Sequence, residues 1–512
     1  MFCSANEAYG LPLHLHCHFK ISIFLPCLLP ACDYLFPMSP AIPIPTSTQP
    51  ATPPPKPACS GGVSSREIWS LTWPQALTML FQFVVGFTDV VVAGRIHPHL
   101  QGALGIITQC HFFLLVLGIA LVNGGLAAMS QSLGAKLPLR AERYVGLLIK
   151  VGAFFSIVTL LLGLFFASEL LELLQVPEDI FPLTLELWKL YLPILPVSYL
   201  SFLTVAVFRA HKIVRLPLLS IVLVCLINLV ADLGFGLGMF GLPNLGAPGI
   251  IWASILSMLA GGLFNLIVLI RKKLLTAESF ASWRWERRAF PYILKVAIPA
   301  GGSQLLWQLG YMMLFLITNT LPYDSVIAVN GLTAGMRIEA LLFMPGMAFS
   351  FTGSILVGHC LGGGNPLEAR RVGLRVAGAG ALCMTVLAAC LYPFIPEITA
   401  FVSPDAAVQR VAESYMVFNL LATPFTVTSM IMGGLFSGAG ATVFSLIAFS
   451  TGTWLVRLPL AWYMGHVVWQ DASGVFVAML ASQVVQACLC LYLYLYRNWY
   501  RFASTARRFN RA

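Results

Sequence analysis

Five ionisable side chains stand inside long apolar runs of this sequence: Asp89, Asp232, Arg337, Glu339 and Arg457. A charge at the centre of a bilayer costs about 2.5–3.5 kcal/mol on insertion scales, so each is a candidate for function. Asp89 lies six residues before Arg95, at the end of its run. At about 1.5 Å per helical residue that is roughly 9 Å inside. Asp232 stands a comparable distance before the end of another run, near Pro243. Asn228 precedes Asp232 by four residues, so the two share a helical face. Two carboxylates and a carboxamide make an oxygen-rich site. Such a set suits Na⁺ coordination. Two close carboxylates also resist double ionisation, so the same atoms suit a shared proton. Arg337 and Glu339 are two residues apart and face different ways on a helix. Both read as structural, as does Arg457, set against a carboxylate or helix carbonyls.

These residues need elements to hold them, and composition says which. Of 512 residues, 58% are hydrophobic and only 10% charged, against about 25% charged in soluble proteins. So few charges cannot cover a water-exposed surface. A soluble enzyme, a nucleic-acid binder and a disordered chain are excluded. Twelve runs are long enough to span a bilayer as helices. They fall near 68–94, 102–132, 144–168, 186–209, 216–240, 247–270, 292–320, 328–358, 373–396, 413–437, 442–465 and 474–496. A lipid-spanning barrel would instead show alternating segments of about ten residues. Numbering the loops alternately puts 21 Lys and Arg on the side of both termini. Only Arg95, Lys189 and Arg410 lie opposite. This positive-inside bias predicts cytoplasmic termini in a plasma or inner membrane. It also accounts for the net charge of +10 without nucleic acid.

The runs repeat. GIALVNGGLAAMSQSLGAKLPLRAER, Gly118 to Arg143, aligns without a gap on GMAFSFTGSILVGHCLGGGNPLEARR, Gly346 to Arg371. The offset is 228, and Pro196 and Pro424 keep it. Pro74 and Pro299, Gly249 and Gly474, and Ala253 and Ala478 share an offset of 225. Six helices per half is an even number, so the halves are parallel repeats about an axis along the membrane normal. The expected fold is an all-α integral membrane protein. Its twelve transmembrane helices form two parallel six-helix lobes related by pseudo-twofold symmetry. The expected segments are a Pro-rich, disordered tail over 1–65, a first lobe over 66–270 and a basic cytoplasmic linker over 271–290. A second lobe over 291–497 and a basic cytoplasmic tail over 498–512 complete the chain. In the first tail, His14, His16, Cys17 and His18 have metal-ligand chemistry, but a tail without function is the simpler reading.

Several stretches together resemble the multidrug and toxic compound extrusion (MATE) family. They are PQALTMLFQFVVGFTDVVVAG (Pro74 to Gly94), the two aligned repeats, LPNLGAPGIIWAS (Leu242 to Ser254), RIEALLFMPG (Arg337 to Gly346) and RLPLAWYMG (Arg457 to Gly465). The resemblance runs from about 66 to 497. It implies a two-lobe exporter driven by inward H⁺ or Na⁺. Asp89 matches the family's acidic residue in helix 1, and Asn228 and Asp232 match its Asn-x-x-x-Asp pair in helix 5. Pro74 matches a helix 1 proline whose bending would take part in coupling. In the second half the matching positions are Leu314, Thr453 and Arg457, and Trp307 stands where some members carry an acid. Cation coupling is therefore expected in the first lobe only, through Asp89, Asn228 and Asp232.

The implied activity is antiport. An amphiphilic or cationic organic compound, drugs among them, leaves by alternating access in exchange for H⁺ or Na⁺, and the chain works as a monomer among membrane lipids. Phe81, Phe87, Trp307, Tyr311 and Met312 are candidates for the substrate cleft, with Phe83 and Met313 beside them. A flippase for a lipid-linked or polyisoprenoid substrate is the alternative. It fits less well, because only Arg337 and Arg457 are intramembrane cations. An enzyme would need clustered His, Asp or Ser at membrane depth. His111 and His359 stand apart there without an obvious partner in sequence, and no GxxxxGK[ST] phosphate loop occurs. No cofactor is expected. Cysteine spacing suggests no structural metal.

Overall fold

Long uninterrupted apolar stretches can satisfy their backbone groups only within themselves, so they fold as helices. The computed structural model describes residues 63–96, 98–174 and 176–504. Helices α1 (Ser65–Ile96), α2 (Pro98–Gly134) and α3 (Pro138–Phe165) open the chain. Helix α4 is bent by 49° between Phe181–Tyr191 and Ile194–Ala210. Pro193 and Pro196 stand at that break, where proline removes backbone donors. Helix α5 (Arg215–Ala231) runs into a wide π turn at Asp232–Gly236, and α6 (Ala247–Arg271) follows. The second half holds α7 (Trp283–Asn319), α8 (Ser325–Gly362), α9 (Pro366–Leu391) and α10 (Ala406–Ala439). Helix α11 starts at Thr442–Ser450 and continues through π turns at Thr451–Arg457 and Tyr463–Val468. Helix α12 is Ala472–Tyr496.

Ten of these are long and apolar enough to cross a membrane, and the bent α4 makes eleven. Helix α7 fills the place of the seventh expected span, with Gln304, Gln308 and three glycines diluting its apolar character. It also begins at Trp283, so the expected linker over 271–290 is half helix. The other expected tail, 498–512, is partly packed: Trp499 is buried and stacks on Tyr494. His14, His16, Cys17 and His18 lie outside the described residues.

The duplication is visible atom by atom where the halves meet. Helix α2 packs on α7 and α8, and α1 packs on α8. Gln131 Nε2 donates to the Gly438 carbonyl at 2.9 Å. Its mate at offset 228, His359, donates from Nε2 to the carbonyl of Ala210 at 2.8 Å. Ala210 is itself the mate of Gly438. Asn123 and Ser437 hydrogen bond at 3.3 Å, while their mates Phe351 and Arg209 form a cation–π contact at 3.9 Å. Gly134 leaves room for the His359 carbonyl, which a Cβ would meet at 2.1 Å. Gly362 does the same for the Gln131 carbonyl, at 2.0 Å. Ser130 faces its own mate, Gly358, so the pseudo-twofold axis passes between them. These reciprocal contacts are those of a two-fold interface folded into one chain.

The seam contacts named here share one end of the bundle, nearest the basic loops. Thr72 and Gln75 of α1 reach Thr352 of α8 there, at 3.0 and 3.1 Å. Gln131 is the hub. Its Oε1 accepts from the Tyr292 hydroxyl at 2.9 Å and from the Ser504 backbone N–H at 2.7 Å. Arg140 also donates to the Ser504 hydroxyl.

Candidate cation site in the first lobe

Helix α1 carries Asp89 seven residues before its end at Ile96, away from the seam. Helix α5 packs along α1 and against α6, which brings three helices around that carboxylate. Asn228 Nδ2 donates to Asp89 Oδ1 at 3.1 Å. Ser254 of α6 donates from its hydroxyl to Asp89 Oδ2 at 3.2 Å. Asp89 is half-buried, whereas Asn228 and Asp232 are fully buried. Asp232 begins the π turn of α5, a widened turn that shifts side-chain register and recurs at functional sites. It faces Asp89 within reach of a carboxyl–carboxyl hydrogen bond, which one shared proton would make.

Acceptors outnumber donors here. Both oxygens of Asp232 and Oδ1 of Asn228 are buried and meet no donor among the described residues. Buried oxygens without donors are costly. The set offers acceptor oxygens to a proton held between the carboxyls or to a small cation. Asp89, Asn228 and Asp232, singled out by type and spacing, are thus together in space. Ser254 completes the set.

The second lobe has the same frame and a different filling. Leu314 of α7, the mate of Asp89, is buried among apolar groups. Thr453, the mate of Asn228, accepts from Gln486 at 3.3 Å. Arg457, the mate of Asp232, is buried and donates from Nε to Ser482 at 2.9 Å. Arg337 is exposed and Glu339 buried, so they do face different ways.

The MatE family model matches twice, over residues 74–233 and 299–463. The chain belongs to the MatE family. The two matches begin 225 residues apart, which is the offset of the repeat. This MatE transporter is 24% identical to the probable multidrug resistance protein NorM of Thermotoga maritima, over 86% of this chain and 94% of the relative. It is 27% identical to the multidrug resistance protein PmpM of Pseudomonas aeruginosa, over 87% and 92%. The fold is similar to a solved outward-facing multidrug resistance MATE transporter of the MOP superfamily. The TM-score is 0.79 and the identity 19%, over 86% of this chain and 97% of that one. The transporter is an integral membrane protein of two parallel six-helix lobes.

In this MatE transporter, two histidines gain partners that sequence did not offer. His111 Nε2 lies 3.4 Å from the Ser198 hydroxyl, and its ring meets Tyr191 edge-on at 5.1 Å. His359 holds the seam, as above. The candidate cleft residues separate. Phe87, Trp307 and Met312 are exposed, Phe81 is half-buried, and Phe83 stacks with Phe87 at 6.1 Å. Tyr311 is only 7% exposed and packs under Arg457 in the second lobe. It does not line an open surface, because the guanidinium and Trp307 cover its ring. Pro74 is buried within a continuous α1, and Thr78 donates to its carbonyl at 2.7 Å.

Proposed function

We propose that this chain is a plasma-membrane antiporter that exports amphiphilic or cationic organic compounds, drugs included, in exchange for H⁺ or Na⁺. The observation that carries the reading is the donor-poor cluster of Asp89, Asn228, Asp232 and Ser254. The likeness to multidrug resistance proteins supports drugs as substrates. The lobes, near 66–270 and 291–497, rock about the α2–α8 seam. With both termini cytoplasmic, the closed seam faces the cytoplasm and Asp89 faces the outer side. A proton or Na⁺ then enters through the half-buried Asp89 and is shared with Asp232 and Asn228. That draws α1 against α5, changes the first lobe's inner surface and releases the substrate. The cation must bind the two states unequally, or it couples nothing. Pro74 lets α1 bend in that step. Phe81, Phe87, Trp307 and Met312 offer apolar surface to varied ligands. No cofactor takes part, and one chain suffices among its lipids.

The test is a host stripped of its own efflux pumps. The parent chain should raise tolerance to ethidium and lower its accumulation. Asp89→Asn, expressed to the same level in the membrane, should lose both effects. Normal export by that variant overturns the reading.

A further inference from the structure

The two lobes treat the same position in opposite ways. Asp232 and Arg457 are mates at offset 225, and each stands on a π turn of the fifth helix of its lobe. The surroundings are duplicated as well. Ser482, which accepts from Arg457, is the mate of Ser257. Both serines donate to the carbonyl three residues earlier, Ser254 for Ser257 at 3.1 Å and Met479 for Ser482 at 2.7 Å. At Asp232 both oxygens lack a donor, and at its mate a donor lacks an acceptor. Arg457 Nη1 is buried and meets no hydrogen-bond partner among the described residues.

Met479 and Gln483, on the same helix as Ser482, line a small cavity with a buried carboxylate. Glu339 of α8 accepts from the Tyr415 hydroxyl of α10. With Tyr415, Asn419 and Gln483 it lines a small cavity of about 10 Å³, room for about one water molecule. Asn419 is nine-tenths buried, and its Oδ1 has no donor. Tyr311 packs against the cation: the Arg457 guanidinium lies 5.4 Å from its ring centroid. Arg457 and Glu339 form no direct salt bridge, and they border Ser482 and the cavity beside it from opposite elements, α11 and α8. The charged and titratable groups around Glu339 are thus Arg457, Tyr311 and Tyr415.

We propose that Arg457 is a built-in cation. It stands at the second lobe's copy of Asp232 and offsets Glu339 permanently, so this lobe needs no exchangeable ion. This rests on the reading of Asp89 and Asp232 as the exchangeable cation site. One lobe takes a cation from solution in each cycle, and the other carries its own on a side chain. The pair positions the second lobe and does not touch substrate. Removing the guanidinium converts the second lobe into a site that requires a cation.

Thermal melting of the purified, detergent-solubilised chain tests this, with variants made in the Asp89→Asn background to silence the first lobe. At pH 8, Arg457→Gln should melt several degrees below the Asp89→Asn parent, and Arg457→Lys should stay near it. Adding Glu339→Gln to Arg457→Gln should recover the loss. Acidification to pH 5.5 should also raise the melting temperature of Arg457→Gln relative to its parent, by protonating Glu339. That gain should vanish with Glu339→Gln, which a purely packing role would not produce. Arg457→Gln melting like its parent overturns the proposal. So does a double variant that melts as low as the single, or fails to fold with it. Ethidium export by Asp89→Asn alone reports separately on the first-lobe reading.

Discussion

At the scale of single residues, the first lobe concentrates cost in a few oxygens. Asn228 and Ser254 each give Asp89 one hydrogen bond, and a bond to a charged group contributes about 1.5–3 kcal/mol. Asn228→Ala should therefore weaken cation dependence more than Ser254→Ala, because it also removes an acceptor oxygen. The half-saturating Na⁺ concentration, or the pH midpoint of ethidium export, measures the difference. Asp232→Asn should abolish coupling while the chain still reaches the membrane, as seen by quantitative blotting. Asp89 and Asp232 stood out in the sequence because charge is so scarce there that each exception is informative, and Asn228 because it precedes Asp232 by four residues on a helix. Ser254 did not, although it ends a quoted motif. A serine in an apolar helix usually bonds its own backbone, as Ser257 does, so type alone does not reveal a partner. Tyr311 misled for a related reason. An aromatic residue in an apolar run has no outward sign of being covered, and here Arg457 covers it.

At the scale of helices, length and charge pattern made the twelve passages legible to within a few residues at most ends. The departures have physical causes. Pro193 breaks α4. The early start of α7 at Trp283 reflects polar residues that form helix without being apolar enough to register as a span. The π turns at Asp232 and Arg457 have no periodicity signal, because one extra residue per turn leaves an apolar run apolar. The glycines were legible as repeat markers, but not as contact points. Gly134→Val should hold α2 and α8 apart, since even a Cβ would meet the His359 carbonyl at 2.1 Å. Overpacking of this kind costs about 1–3 kcal/mol. Melting temperature should fall, and Gly362→Val should reproduce the effect because the two positions are mates.

At the scale of the whole molecule, the proposed cycle has the lobes rock about the seam. Gln131 ties Gly438, Tyr292 and Ser504 together across it. Gln131→Ala should favour opening at this end, read as faster labelling of a cysteine placed in the α2–α8 seam. The converse is to lock it. Ser130→Cys with Gly358→Cys faces two thiols across the pseudo-twofold axis. Oxidation should halt ethidium export, and a reductant should restore it. Export that continues through the cross-link would mean that the lobes do not rock about this seam.

The central claim is that an inward cation gradient, taken up at Asp89, drives export. Proteoliposomes containing the purified chain and ethidium measure it directly, with a pH jump and a Na⁺ jump imposed separately. The account predicts ethidium movement against its gradient in at least one jump, none without a jump, and none in either for Asp89→Asn. Uphill ethidium movement by Asp89→Asn, or transport by the parent that ignores both gradients, would contradict it.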